Sequence, residues 1–445
     1  MQSLTLAIAI SASVLSLVLQ PIYAFVVYVA LALWYPSYLV VQVGTLDISA
    51  LRIVGSILLL RCLFNPRIRS QFVWSCLDTW VAISMIIYVG MYCFTRPLYM
   101  AIENRGGFLT DTLFAYLVAR LCITDREGLT TILKWIGFLL VPLAILGVIE
   151  TFTGWQPYWP LLQLCPWRPD VHPVEPRSGL FRAIGPFGHP IMFGCCFAMF
   201  LPLISYLRHE QNHWRLLAYI ISAIIIIGCL SSMSSGSWGM LMVTIFCMAM
   251  EKRKRWVKRL LKFFILSCFG IEIISNRHFY HVIFSYANPV GGAWWHRARL
   301  IDCAIMHFDE WWLAGYGGKD PGWGGYLGMT HTDVTNQFIL HGIEYGLLGM
   351  IALCIVLAIG FRNIISTYKR TADPRLKSLC WFLGCMLFSI IVSWLSVSYF
   401  GQMINLFYSM LGAVGSITTW QNSAHNWRKV TQSYLSTNLT TKAIS

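Results

Sequence analysis

The sequence predicts an all-α fold, a polytopic membrane helix bundle of about 12–13 transmembrane helices with two long loops on its outer face. Three observations predict it. Only 12% of the 445 residues are charged and 57% are hydrophobic, whereas a soluble domain carries about 25% charged residues. Apolar runs of near-spanning length recur along the whole chain. Lys and Arg collect in alternate connections between these runs, which is the positive-inside pattern. The alternating hydrophobicity of a membrane β-barrel is missing.

The apolar segments lie near 4–19, 22–40, 48–63, 73–94, 109–123, 129–149, 190–206, 215–232, 237–250, 262–275, 335–359, 378–397 and 401–418. In lipid, backbone groups must pair within their own segment, so each is expected to be a helix. The first segment, MQSLTLAIAISASVLSLVL, has no basic n-region and reads as a membrane segment rather than a cleaved signal peptide. If 251–262 faces the cytoplasm, so do 61–72, 120–134, 207–215, 361–377 and the polar tail. Together these hold 23 of the 33 basic residues. The outer face then receives 95–108, 150–189 and 276–334. Four regions follow: N-terminal helices 1–149, a core with the long loops 150–350, C-terminal helices 351–420, and a cytoplasmic tail 421–445. The glycosylation sequon at Asn438 falls in that tail, which makes it a chance match.

A net charge of +14 invites a nucleic-acid reading. The basic run KRKRWVKR at 252–259 lies between two apolar segments, so the charge belongs to membrane topology and no nucleic-acid partner is expected. The 14 Cys are scattered, mostly through apolar stretches. They form no CxxC and no zinc spacing, and packing is their expected role. No metal and no cofactor is expected.

The two long outer loops hold seven of the eleven His: His172, His189, His278, His281, His296, His307 and His331. They also hold Arg168, Arg177, Arg182, Arg277, Arg297 and Arg299. Cations on the translocated side run against the topological trend. An anionic ligand at the outer membrane surface accounts for them. Within 293–312, Trp294, Trp295, Leu300, Ile301, Ala304, Trp311 and Trp312 suggest an amphipathic helix lying on the membrane, with Arg297 and Arg299 near the headgroups. An ordinary interfacial helix with snorkelling Arg is the plainer alternative.

Several patterns fail as motifs. GYGGKDPGWGGYLG at 315–328 is not a Walker loop, because Lys319 is followed by Asp320; a flexible lid or a set of tight turns is expected. Ser231, Ser232, Ser234, Ser235 and Ser237 surround Gly236 without a GxSxG elbow, and a polar helix connection is expected. Asp78, Asp111 and Glu344 lie in apolar segments, with Glu150 and Glu272 nearer ends. Such carboxylates are costly and often functional. Glu344 is three residues after His341 on one helix face, so a bond between them is possible on spacing alone.

Across residues 177–350 the order of motifs resembles the O-antigen ligase and polymerase superfamily of membrane glycosyltransferases. Three pieces carry the resemblance: RAIGPFGHPIMFG from Arg182 to Gly194, SSMSSGSWGML from Ser231, and Arg297/Arg299 followed by WWLAGYG and HTDVTNQFILHGIEYGLLG. Two departures stand out. Where the family keeps a His before the last Gly-x-x-Gly, this chain has Thr335, followed by the expected Asn336. Ser235 stands where the family commonly has Arg. The departures favour polymerase over ligase.

The resemblance implies a metal-independent glycosyltransferase that joins polyprenyl-diphosphate-linked oligosaccharide units at the outer face of a bacterial cytoplasmic membrane, with the long loops periplasmic or extracellular. Its expected partners are the lipid-linked oligosaccharide, membrane lipids and other polysaccharide-assembly proteins. Arg182, Arg297 and Arg299 would hold the diphosphate, since Arg stays charged and binds phosphate oxygens bidentately. His331 is the expected base, oriented or replaced by Asp333. Thr335 and Asn336 would cap the following helix and bond sugar, and His189 joins the substrate-binding set. A ligase acting on a second acceptor, and a non-catalytic flippase for lipid-linked glycan, remain the alternatives.

Overall fold

The computed structural model describes residues 1–164, 175–210, 213–286 and 294–420. Arg168, His172, the Trp294 side chain and the tail 421–445 with Asn438 lie outside the described residues. Every apolar segment named above is helical. The helices are α1 (Gln2–Val18), α2 (Pro21–Trp34), α3 (Ala50–Phe64), α4 (Cys76–Thr95), α5 (Leu98–Leu109), α6 (Ala115–Cys122), α7 (Arg126–Thr153), α8 (Pro190–Tyr206), α9 (Trp214–Leu230), α10 (Ser235–Ala249), α11 (Lys254–Ile274), α12 (Phe279–Tyr286), α13 (Trp294–Met306), α14 (Gln337–Arg370), α15 (Pro374–Trp394) and α16 (Gln402–Ser416). Five are long and apolar enough to cross a membrane: α4, α7, α8 with the turn after it, α14 and α15. Helices α1, α2 and α9 are apolar but shorter. The chain is therefore a helical membrane protein.

Burial sorts the bundle. Helix α8 is apolar on every side and buried along nearly its whole length, as a central helix must be. It packs against α9, α10 and α15. At one end of the bundle, the connections expected in the cytoplasm meet. Arg126 pairs with Glu210 at 3.3 Å, Arg208 with Glu251, and Ser378 bonds Glu251 at 3.0 Å. At that end Asp78 closes a capping box on α4 with Ser75. It also receives Arg120 Nε at 2.7 Å and Nη2 at 2.9 Å, while Arg120 Nη1 reaches Ser416 at 3.1 Å. One buried ion pair thus ties α4, α6 and α16, and removing one partner of such a pair costs about 3–5 kcal/mol.

Three features differ from expectation. Residues 40–49 form a two-stranded hairpin, Val40–Val43 against Leu46–Ser49. Val40, Val41 and Val43 favour strand, and Gly44 takes φ +63° at the turn. Residues 98–109, expected in an outer loop, are helical. Glu103 and Arg105 had masked the segment, yet both are compatible with helix. The stretch 293–312 is broken into α13 and a single turn at Phe308–Trp311. Only part of its apolar side is turned inward, while Trp295, Ile305, Met306 and Trp312 stay exposed. Leu300, Cys303, Ala304 and Trp311 pack with Trp323, Leu327 and Ile343 in a small core of their own, and Trp311 Nε1 donates to Ala304 O at 2.8 Å.

The glycine patch is a set of tight turns locked into α14. That helix breaks at Gly346, which has φ +71° and ψ 180°. The break exposes backbone groups, and the preceding loop takes them up. Tyr316 N donates to Ile343 O at 2.5 Å and Leu347 N donates to Trp312 O at 2.7 Å. Both facing glycines are required. A Cβ on Gly346 would lie 2.5 Å from Leu313 O, and one on Gly315, itself at φ +70°, 2.6 Å from Ile343 O. A non-glycine residue held at such a φ costs about 1–3 kcal/mol before any clash. Gly346→Ala is expected to lower the thermal midpoint of the detergent-purified protein by several degrees. Gly90→Ala, where a Cβ meets open space, should leave it nearly unchanged. Equal midpoints for the two variants would remove this account of the break.

Candidate functional site

At the end of the bundle opposite the Arg126–Glu210 pair, several elements meet at the connection 395–401 between α15 and α16. Its groups are used as anchors. Leu395 O accepts from Asn336 Nδ2 at 3.1 Å, and Ser396 O accepts from Arg297 Nε at 2.8 Å. Ser398 Oγ donates to Val334 O at 2.7 Å, and Tyr399 N donates to Gln337 Oε1 at 2.6 Å. Gln402 Nε2, just beyond, donates to Pro186 O at 3.1 Å. One short connection therefore positions both α13 and the start of α14, and it touches the 182–194 motif.

Arg182 is fixed through its backbone. Phe181 N donates to Thr151 O, Ala183 N to Ser231 O, and Gln156 Nε2 to Arg182 O at 2.9 Å. Fully buried Glu150 accepts from Ile184 N at 2.8 Å and Gly185 N at 3.1 Å. The serine cluster belongs to this scaffold. A Cβ on Gly194 would lie within 2.5 Å of Ser232 and Ser237 oxygens, and those two hydroxyls bond each other at 2.8 Å. The serines thus form the polar helix connection that was expected.

The side chains at this end carry an unusual charge balance. Arg182 Nε is buried with no partner. Burial, then the neighbouring Arg177, pull its guanidinium down to about 10. Burial also lowers Arg297, with Asp333 opposing and Arg177 adding to the shift. Arg177 is the common neighbour of both. His296, 3% exposed, has Nε2 buried without a partner. Burial lowers it, Asp333 opposes and Arg297 adds. Exposed Asp333 is the acid that acts on this group. Arg177 therefore stands beside both Arg182 and Arg297, and Asp333 beside Arg297 and His296.

The other expected residues sit apart or are engaged. Arg299 is two residues from Arg297, about 200° around the helix. It is exposed, stacks 5.0 Å over Trp295 and reaches Tyr326 O at 3.4 Å. His331 is exposed in the turn set that Asp320 holds through Gly322 N and Thr332 N, and its ring nitrogen lies 3.4 Å from Thr330 Oγ1. Asn336 caps α14 by accepting from Phe338 N at 2.9 Å and Ile339 N at 3.1 Å. With Nδ2 tied to Leu395 it is 6% exposed, so its bonding is largely internal. Thr335 Oγ1 is buried without a partner. His189 caps α8 by accepting from Ile191 N at 3.2 Å, and its ring meets Phe400 edge-on. His341 and Glu344 bond elsewhere: His341 Nδ1 lies 2.9 Å from Gln337 O, and Glu344 lies 3.9 Å from Arg105.

Sequence reasoning did not single out Arg177, His296 or the connection 395–401 for the site. The first two were among the outer-loop cations and histidines, and His296 adjoins Arg297. The third had only Ser396, Ser398 and Gly401 between two apolar segments as a signal. Among the described residues, no group of three His, Cys, Asp or Glu side chains is arranged to hold a metal ion.

The His296 shift has a stability consequence. Burial depresses the native value, so on acidification the unfolded chain takes up the proton first. The stabilisation is fully present above about pH 6.5 and is lost as pH falls through the lowered native value. His296→Gln should therefore shrink the drop in thermal midpoint between pH 7.5 and 5.5. An undiminished drop in the variant would show that His296 does not titrate as described.

No family model matches the chain, and no curated protein matches it.

Proposed function

We propose that this protein is a polymerase-type glycosyltransferase that joins polyprenyl-diphosphate-linked oligosaccharide units at the outer face of the cytoplasmic membrane. This reading takes about twelve or thirteen of the helices as spans, with 150–189 and 276–334 outside. The observation that carries it is the pair of half-buried arginines Arg182 and Arg297, each with Arg177 as a neighbour and Arg297 with Asp333. Like charges that sit together half-buried repel one another, and a bound diphosphate removes that cost.

The chemistry follows from the charges. The acceptor hydroxyl attacks the anomeric carbon of the donor sugar, forming the new glycosidic bond. The bond from that carbon to the diphosphate oxygen breaks, and its electron pair leaves with the diphosphate. Arg182 and Arg297, with Arg177 beside them, stabilise the charge that develops there. One well-placed donor of this kind is worth about 3–4 kcal/mol. Asp333 takes the hydroxyl proton, a role worth about 10²- to 10⁴-fold. Of the two expected acid–base residues, Asp333 is the better candidate, because it neighbours Arg297 while His331 neighbours Asp320.

One observation favours a second reading. A helix broken within an apolar segment, with Arg105 and Glu344 beside the break, is a feature of transporters. Against this, the break is filled by the protein's own loop rather than lining a cavity.

The test is reconstitution of the purified protein with a lipid-diphosphate oligosaccharide. Lengthened products are expected, transfer to a different acceptor would indicate a ligase, and movement without bond change would indicate a flippase. Arg182→Ala and Arg297→Ala should each lower the rate about 10²- to 10³-fold, and Asp333→Asn at least about 10²-fold. Arg299→Ala should stay within a few-fold of wild type. Normal product length and yield in both Arg182→Ala and Asp333→Asn would overturn the site. A loss in His331→Ala as large as in Asp333→Asn would return the base to His331.

A further inference from the structure

A second charged feature lies at the opposite end of the bundle and plays no part in the proposed chemistry. A cleft of about 770 Å³ is lined by His209, Glu251 and the run from Lys252 to Trp256, where α11 begins. Its one acid is already engaged. Burial alone would raise Glu251, yet the hydrogen bond from His209 and the charge of Arg208 hold it down at about 2. Ser378 supplies a further bond to it. Lys254 bonds the Tyr368 hydroxyl and lies 4.5 Å over that ring. Lys252, Arg253 and Arg255 are exposed, and none forms an ion pair with an acid among the described residues. The cleft therefore carries uncompensated positive charge.

The surface beside it is apolar. No residue of α11 is buried. Trp256, Val257, Leu260, Leu261, Phe263 and Phe264 all stand exposed directly after the cations. A concave cationic head above an exposed apolar wall matches an amphiphile, with its phosphate among the cations and its chains along the helix. A soluble phosphate would use only the first half of that surface.

We propose that the cleft at the start of α11 binds the headgroup of an anionic phospholipid of the inner leaflet, whose acyl chains lie along α11. Lys252, Arg253 and Arg255 contact the phosphate and anionic headgroup, Trp256 sits at the headgroup boundary, and Lys254 stays on Tyr368. The proposal rests on charge and exposure at this end and is independent of the glycosyltransferase reading.

The experiment measures lipid retention by native mass spectrometry and thermal midpoint for the full chain in detergent. Phosphatidylglycerol, phosphatidylcholine and inorganic phosphate are each titrated. Phosphatidylglycerol should be retained and should raise the midpoint by several degrees, while phosphatidylcholine and phosphate should do neither. Each basic residue near a membrane surface is worth about five-fold in affinity for anionic lipid. The triple variant Lys252→Gln, Arg253→Gln, Arg255→Gln should thus bind phosphatidylglycerol about 100-fold more weakly. All three side chains are exposed, so the fold should survive, and gel filtration checks this. Arg67→Gln with Arg69→Gln, on another connection at the same end, should leave binding within about five-fold. Equal retention of the two phospholipids, unchanged binding in the triple variant, or an equal loss in the Arg67/Arg69 variant would overturn the proposal. A phosphate response as large as that to phosphatidylglycerol would make this a soluble-anion site and overturn it as well.

Discussion

One half of this molecule depends on one break in one helix. Lipid offers no hydrogen bonds, so a gap in a membrane helix must be closed by protein. At Gly346 the gap is closed by backbone from 312–316, through Ile343 O and Leu347 N. That exchange does more than repair α14. It pins a long loop to the bundle at its middle, and the chain on either side inherits the register. Upstream, Trp311 lies where a Cβ on Gly342 would come within 2.7 Å of its ring, and α13 packs down with it. Arg297 is then delivered to Ser396 O. The Gly-x-x-Gly at 346–349 is thus a packing requirement whose consequence is felt at the site. Gly349 contributes by letting Tyr345 approach, since a Cβ there would lie 2.4 Å from that of Tyr345.

The two ends of the bundle handle cations in different ways. At one end Arg120 is buried, and each of its three nitrogens has a partner: Asp78 twice, Ser416 and Val73 O. Such a group is structural, because its charge is already compensated. At the opposite end, Arg177 neighbours both Arg182 and Arg297, and Asp333 is the acid that acts on Arg297. At half-burial the repulsion between unit charges is of the order of kcal/mol rather than tenths. A fold that needed these residues only for packing would do better with apolar ones. The imbalance is what makes this end the candidate for an anionic ligand.

Much of the bundle was legible because hydropathy and charge sidedness act over whole segments. All thirteen apolar runs are helices, and connections assigned to one side meet at one end, as Arg126–Glu210 and Arg208–Glu251 illustrate. The misses are local or tertiary. The hairpin at 40–49 is too short for hydropathy to separate from its flanking helices. The charges Glu103 and Arg105 hid a helix whose propensities are otherwise ordinary. At the site, Arg182, Arg297 and Asp333 were readable from motif order. The separation of Arg299 follows from helical geometry and could have been inferred once α13 was assigned. The placement of His331 could not, because it depends on how Asp320 folds the turn through Gly322 N and Thr332 N. Arg177 and His296 join the site only through packing across chain segments far apart in sequence.

The carboxylates show how partners narrow a list that cost alone leaves wide. Acids in apolar segments are expensive, and expense by itself points to function. Here each of those singled out in the sequence has a structural partner. Asp78 holds Arg120, and Asp111 holds Arg52 through bonds of 3.1 and 2.7 Å. Glu150 holds the backbone after Arg182, Glu272 holds His278 at 2.7 Å, and Glu344 stands by Arg105. These partners offset part of their cost, although Glu150 Oε1 stays buried without one. Asp333 is different in kind. It is exposed, it lies outside the apolar segments, and it acts on both Arg297 and His296. In this protein the expensive acids hold helices, loops and backbone in place, and the inexpensive one, Asp333, stands exposed beside Arg297 and His296.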